Sequence, residues 1–239
     1  MTRAGRLLLV VAAPKEAAAI LRGVGAVDVP TSIDWRGRSI GARLDLVVTG
    51  VGKANAAAGT ALALDTSRHV GVVSIGVSGA LPGSGLAVGD VVEADRCMYG
   101  DEGSANPGGF LTIAEMGFGP LSDLCGGGNG MDGMSLVASA VPWSERTGLR
   151  PLRVRRGGLA TVSTCSGNDA LAHEVERRTG ALAEDMESAA VGFTAARVAP
   201  GVAFCAVRAI SNTTGDRLEQ TWDLALALDR LALVASRLS

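Results

Sequence analysis

The stretch Val70-Gly71-Val72-Val73-Ser74-Ile75-Gly76-Val77-Ser78-Gly79-Ala80-Leu81 opens as an apolar run and then turns glycine-rich. A short run without polar alternation reads as a strand buried on both faces, here residues 70–75. The glycine cluster after it reads as the turn that stops the strand. The same grammar repeats outward. Residues 7–11 run into Ala12-Ala13-Pro14, and residues 44–49 run into Gly50-Val51-Gly52. Further strands are predicted at 88–94, 159–163 and 203–210. Helices are predicted from Glu16 to Leu21, over the Ala-rich residues 53–64, and at 170–179, 186–198 and 222–239. Strands alternating with helices imply a mostly parallel sheet with right-handed crossovers. The expected fold is a single α/β domain over residues 1–239. It has three layers, with a central mixed, mostly parallel sheet flanked by helices.

Composition agrees with that reading. Apolar residues make up 47% of the 239, enough for a sizeable core, while aromatics are only 3%. A net charge of −2 provides no strong field for nucleic acid or an acidic membrane surface. Cys97, Cys125, Cys165 and Cys205 are widely spaced and form no C-x-x-C pair, which argues against a zinc or redox motif and a disulfide framework. Isolated thiols fit a reducing compartment, so a cytoplasmic protein is expected. The apolar run at 7–13 is too short to span a bilayer and leads into Pro14-Lys15-Glu16, not a cleavage-site pattern, so no signal peptide is expected. Residues 100–133 break the rhythm with dense glycine and are read as excursions over the mouth of the sheet.

Open α/β sheets bind ligands at the carboxyl ends of their strands. The segments to inspect are therefore 12–16, 49–53, 76–81, 163–168, 184–188 and 208–217. Thr49-Gly50-Val51-Gly52-Lys53 lacks the Ser or Thr of a Walker loop and the third glycine of a dinucleotide fingerprint, and reads as a strand-to-helix turn. Ser78 and Gly79 can face a small ligand, although a tight turn accounts for them equally. Glu184-Asp185-Met186-Glu187 sits ahead of an apolar helix, where the macrodipole favours acids. Capping leaves Met186 unexplained. A carboxylate accepts two hydrogen bonds from a vicinal diol, and a methionine packs on a sugar face.

Arg208 lies in an apolar strand and needs a carboxylate or an anionic ligand, with Asp185 and Glu187 as candidates. Ser211 and Asn212 place a hydroxyl and an amide at the strand end, or form a plain turn. Glu16 is a solvated first-turn acid or a group that orients water. His69 and His173 stand in polar surroundings and are read as exposed, without a catalytic role. No G-x-S-x-G elbow or H-E-x-x-H is present.

In this order the pieces resemble the nucleoside phosphorylase superfamily, and within it the nucleosidase branch. The marks are the first strand with Glu16, Gly50-Val51-Gly52-Lys53-Ala54, Gly76 to Leu81 followed by Val88-Gly89-Asp90-Val91-Val92, Asp185-Met186-Glu187, and Val207-Arg208-Ala209-Ile210-Ser211. The resemblance implies that Met186 and Glu187 hold the ribose, with Ser78, Gly79 and Arg208 on the same side. It implies that Glu16, near Arg208, orients the attacking water. Thr164, Cys165, Ser166 and Gly167 would face the base through their backbone, and Ser211 would position Asn212.

Adenine-specific nucleosidases carry Asp where this chain has Asn212. An amide has no proton to give up but can donate an N–H to O6 or N7, which fits a 6-oxopurine such as hypoxanthine. Phosphorolytic relatives hold phosphate with arginines where this chain has Ala13-Pro14-Lys15 and Val77-Ser78. Lys15 is a poor bidentate substitute, so the resemblance favours water as the nucleophile.

Tyr99-Gly100-Asp101-Glu102-Gly103, Gly215-Asp216-Arg217 and Trp222-Asp223 resemble a hypoxanthine-releasing subgroup. Its substrate carries a benzoate-bearing group on the ribose 5′ side. Arg217 is the candidate for that carboxylate, and the glycine-rich segment is the candidate to enclose the ring. The resemblance implies no metal or cofactor, a small-molecule purine nucleoside as partner, neither nucleic acid nor membrane, and a homodimer or higher homo-oligomer. An adenine-specific nucleosidase, a purine nucleoside phosphorylase and a catalytically silent nucleoside-binding module stay open as alternatives.

Overall fold

Leu8, Leu9, Val10 and Val11 are all buried, which makes the first strand two-faced. In the computed structural model, which describes residues 5–26, 28–113, 115–118, 133–135 and 152–238, the elements run as follows. Strand β1 (Arg6–Val11) leads to helix α1 (Pro14–Val24), β2 (Arg38–Ser39), β3 (Leu44–Val48) and α2 (Lys53–Ala63). Strand β4 (His69–Ala80) follows, then β5 (Val91–Tyr99), β6 (Gly103–Asn106), β7 (Gly109–Thr112) and β8 (Gly133–Ser135). The chain closes with β9 (Val154–Thr161), α3 (Asp169–Thr179), β10 (Ala183–Asp185), α4 (Ser188–Val198), β11 (Ala203–Thr213) and α5 (Leu224–Ala235).

The main sheet has the order β10-β9-β5-β11-β4-β1-β3-β2, with β8 beside β5. Strands β3, β1, β4 and β11 are parallel, while β5 runs antiparallel to β11 and parallel to β9. Strand β10 pairs with β9 and also, antiparallel, with β4, so one end of the sheet curls into a closed ring of strands. Successive side chains of a strand face opposite ways. Leu8 and Val10 accordingly join a core with Ala56 of α2 and Ala189, Ala190 and Val191 of α4. Leu9 and Val11 join a second core with Ala17, Ile20 and Leu21 of α1 and Leu231 and Val234 of α5. This is the expected three-layer α/β architecture with a mixed sheet.

Three expectations need correction. Strand β4 does not stop at Gly76 but pairs with β11 as far as Ala80. Its glycines serve close approach and not a turn. A Cβ on Gly76 would stand 2.6 Å from Glu16 Oε1, and one on Gly79 would stand 2.8 Å from the Thr214 methyl. Strand β10 was not expected, because three residues are too few to show a period; the helix placed from Met186 starts at Ser188. His69 is buried, with Nε2 3.0 Å from Asp45 Oδ2 and Nδ1 accepting the Asp65 N–H at 3.0 Å.

Of the glycine-rich excursion, residues 103–112 form the β6–β7 hairpin. Residues 114 and 119–132, with Cys125, lie outside the described residues, so the expected enclosure of a ring there is untouched by the structure. Cys97, Cys165 and Cys205 are free thiols. Among the described residues no helix is long and apolar enough to cross a membrane, and no group of His, Cys, Asp or Glu is arranged to hold a metal.

Candidate active site

All six inspected segments meet around one cavity of about 370 Å³, a size that suits a small ligand. The first strand turn gives Ala12, Ala13, Lys15 and Glu16, and the second gives Val51. Strand β4 gives Val77, Ser78 and Gly79; the segment after β9 gives Cys165, Ser166 and Gly167. Glu184, Asp185, Met186 and Glu187 come from β10 and its exit, and Ser211, Asn212 and Arg217 from the end of β11 and the loop beyond it. The curl of the sheet explains the meeting, since β10 crosses back to pair Glu184 with Gly79.

Two expected site residues do not line the cavity. Thr164 is exposed to solvent. Arg208 is only 2% exposed, and its Nε lies 2.9 Å from Asp185 Oδ2. That Nε–H is not aimed along the contact, so the attraction is chiefly coulombic; Nη2 donates to Ser74 Oγ at 2.9 Å. The buried charge found its carboxylate within the protein, as its desolvation cost requires. Asp185 is itself fully engaged, accepting from Thr161 Oγ1 at 2.7 Å, from the Ser188 hydroxyl, and from the Glu187 and Ser188 amides at 3.2 Å.

Glu16 is 6% exposed and is not a solvated acid. Its Oε1 accepts the Val77 N–H at 2.8 Å, and its Oε2 accepts those of Ala13 at 2.9 Å and Ala12 at 3.2 Å. Burial raises its carboxyl above the ordinary value, against the Val77 amide, the Arg208 charge and the Ala13 and Ala12 amides. Glu187 accepts the Gly52 N–H at 2.9 Å, which gives the second glycine loop a role the sequence left as a turn. Burial, and next the Asp185 charge, push the Glu187 carboxyl up to about 7; the Arg208 charge and the Gly52 amide oppose them. Perturbed carboxyls in a cleft are a mark of a functional site.

Asn212 is held by its neighbours. Ser211 Oγ donates to Asn212 Oδ1 at 2.9 Å, and Asn212 Nδ2 donates to the Thr213 carbonyl at 2.9 Å. An amide nitrogen carries two N–H groups, so one remains for a ligand. Ser78 Oγ is buried with no hydrogen-bond partner among the described residues, and a bound ligand would satisfy such a group. Arg217 lies over the Trp222 ring, 5.7 Å from its centroid. Lys53 ties Asp101 to the site: its ammonium meets the Asp101 carboxylate, whose Oδ2 accepts the Ser163 N–H at 2.6 Å.

Sequence reasoning missed Gln220, Trp222, Leu224 and Leu228 as cavity walls, and gave Glu184 no separate part. Trp222 carried a signal in the Trp222-Asp223 pair. Gln220 carried none, since a lone polar residue in a loop is unremarkable.

The model of the phosphorylase superfamily matches residues 6–239, and this chain belongs to that family. It is 37% identical over 201 residues to a futalosine hydrolase of Streptomyces coelicolor, covering 82% of this chain and 78% of the relative. It is 33% identical over 192 residues to a futalosine hydrolase of Acidothermus cellulolyticus, covering 80% and 72%. Among solved structures, the futalosine hydrolase of Helicobacter pylori is similar with a TM-score of 0.70 at 16% identity, covering 98% of this chain and 95% of that one. The 5′-methylthioadenosine/S-adenosylhomocysteine nucleosidase of Neisseria meningitidis, in complex with methylthio-immucillin-A, gives 0.71 at 20% identity, covering 97% and 98%. At such identities the two structures speak for the fold alone.

Proposed function

We propose that this chain hydrolyses the N-glycosidic bond of futalosine, releasing hypoxanthine and dehypoxanthine futalosine as a step of menaquinone biosynthesis. The observation that carries the reading is that Glu16, Glu187 and Asn212 line one cavity, in a chain whose relatives over four fifths of its length are futalosine hydrolases. In this reading the C1′–N9 bond lengthens first and positive charge grows on the ribose. Glu187 accepts from the ribose hydroxyls and stabilises that charge, while Met186 packs on the sugar and Ser78 and Gly79 border it. The departing purine takes up negative charge, and the free N–H of Asn212 donates to O6 or N7. Cys165 and Gly167 flank the base. Water held by Glu16 then adds to C1′ and gives up a proton to the Glu16 carboxylate, while the purine anion takes up a proton from solvent and leaves as neutral hypoxanthine. Arg217 pairs with the substrate carboxylate on the 5′ side. The enzyme works in the cytoplasm, as a homodimer or higher homo-oligomer, without metal or cofactor.

A second reading has one observation in its favour. A 65-residue segment is 42% identical to the methylthioadenosine/adenosylhomocysteine nucleosidase of Listeria innocua. Asn212 weighs against it, as does the much shorter match. The test is base release from futalosine, inosine and methylthioadenosine, each with and without phosphate. Hypoxanthine released from futalosine at a rate indifferent to phosphate is expected. Adenine from methylthioadenosine with no hypoxanthine from futalosine would replace the substrate, and dependence on phosphate would replace hydrolysis by phosphorolysis.

A further inference from the structure

Glu184 and Ser166 are both 3% exposed and meet face to face at the cavity wall. Ser166 N donates to Glu184 Oε1 at 2.7 Å, and Ser166 Oγ donates to Glu184 Oε2 at 2.7 Å. The Ser166 carbonyl is taken as well: Gln220 Nε2 donates to it at 3.2 Å and to the Gly215 carbonyl at 2.9 Å. Arg217 N donates to the Gly167 carbonyl at 3.2 Å, and Trp222 Nε1 donates to Gln220 Oε1 at 2.9 Å. The amide, hydroxyl and carbonyl of Ser166 are thus all engaged inside the protein. A residue so occupied is a tie within the protein.

We infer that Glu184 is a positioning residue: through Ser166 it fixes the 165–167 segment and, by way of Gln220, the loop that carries Arg217. This inference rests on the nucleoside-hydrolase reading and adds to it a determinant of substrate fit. Strand β10 anchors one end of the tie, because Glu184 pairs with Gly79 of β4. The spacing between the Asn212 end of the cavity and the Arg217 end is therefore set by Glu184–Ser166–Gln220. The tie is geometric. A glutamine at position 184 can still accept the Ser166 N–H through its oxygen and donate to the Ser166 hydroxyl through its nitrogen. A leucine fills similar space and can do neither.

The experiment compares Glu184→Leu and Glu184→Gln with the parent chain, using steady-state kinetics on futalosine and inosine and calorimetric binding of hypoxanthine and adenine. Glu184→Leu is expected to raise KM about tenfold or more with kcat within about threefold, the signature of lost uniform binding. Glu184→Gln is expected to recover most of that loss. Parental KM in Glu184→Leu overturns the inference, and so does a Glu184→Gln variant as impaired as Glu184→Leu, which would point to a need for charge. A parent that acts on another nucleoside of the panel overturns the futalosine reading alone, and the same KM comparison on that nucleoside then decides the positioning role. If no nucleoside is turned over, base affinity decides it: weakening by about tenfold in Glu184→Leu with recovery in Glu184→Gln supports the tie. A parent that binds neither base overturns both.

Discussion

Asn212 is the residue on which the choice of base turns. Its oxygen is fixed by Ser211 and one N–H by Thr213, so the remaining N–H is already oriented before a base arrives. Asn212→Asp replaces that donor with an acceptor, and a site built to hydrogen-bond a group discriminates strongly when the partner is missing. It should lower kcat/KM for hypoxanthine release from futalosine by about 10²-fold; parental kinetics would remove Asn212 from the mechanism. Glu187 makes a second prediction at this scale. With its carboxyl pushed up to about 7, the ionised form that stabilises ribose charge is lost as pH falls. The kcat/KM profile should therefore rise with pH through an apparent pKa near 7, and Glu187→Gln should lose that limb and about 10²–10³-fold in kcat.

The same raised carboxyl has a stability sign. Its proton is bound more tightly in the folded state, so its contribution is complete below the unfolded value of 4.5 and is lost as pH rises through about 7. Glu187→Gln should thus raise Tm by a few degrees at pH 8 and leave it near the parent's at pH 4; no pH-dependent gain would contradict the burial cost. At the residue level the sequence showed the acids, Arg208 and Asn212 as candidates. It could not show that Asp185 and not Glu187 pairs with Arg208, because acids two residues apart are equal candidates until β10 is in place.

At the level of elements, β4 is the instructive case. Its apolar start was legible from residues 70–75, but glycine in a strand and glycine in a turn look alike in sequence. What separates them is Glu16, which needs the space a side chain on Gly76 would fill. Gly76→Ala should displace the Glu16 carboxylate from the Val77 amide and cut kcat/KM by about tenfold or more, and an unchanged kcat/KM would show that Glu16 does not need that position.

The far end of the same strands holds a structural cluster. Burial pushes the Asp45 carboxyl up, but hydrogen bonds from Arg6, His69 and Arg68 and the Arg6 charge outweigh it and hold it at about 2. A depressed carboxylate contributes stability above its unfolded value of 3.8, and that contribution is lost as pH falls towards about 2. Asp45→Asn should cost on the order of 1–2 kcal/mol at pH 7, allowing for screening at the half-exposed Arg68, and about half as much at pH 3. Denaturant titrations at the two pH values check this; an equal cost at both would contradict the ion pairs. The cluster was not legible because His69 was read from polar neighbours, whereas its burial follows from the start of β4.

For the molecule as a whole, the layered α/β architecture was legible because buried strands and alanine-rich helices follow one another along the chain. The closed ring at one end was not, since it depends on β10, three residues long. That closure brings Glu184 of β10 against Gly79 and turns six separated segments into one cavity.

The most direct measurement is the ratio of kcat/KM for hypoxanthine release from futalosine to that for adenine release from methylthioadenosine, in phosphate-free buffer and one enzyme preparation. A fixed amide donor that meets O6, where adenine carries an amino group instead of an acceptor, predicts a ratio of about 10² or more. A ratio below one would contradict the account.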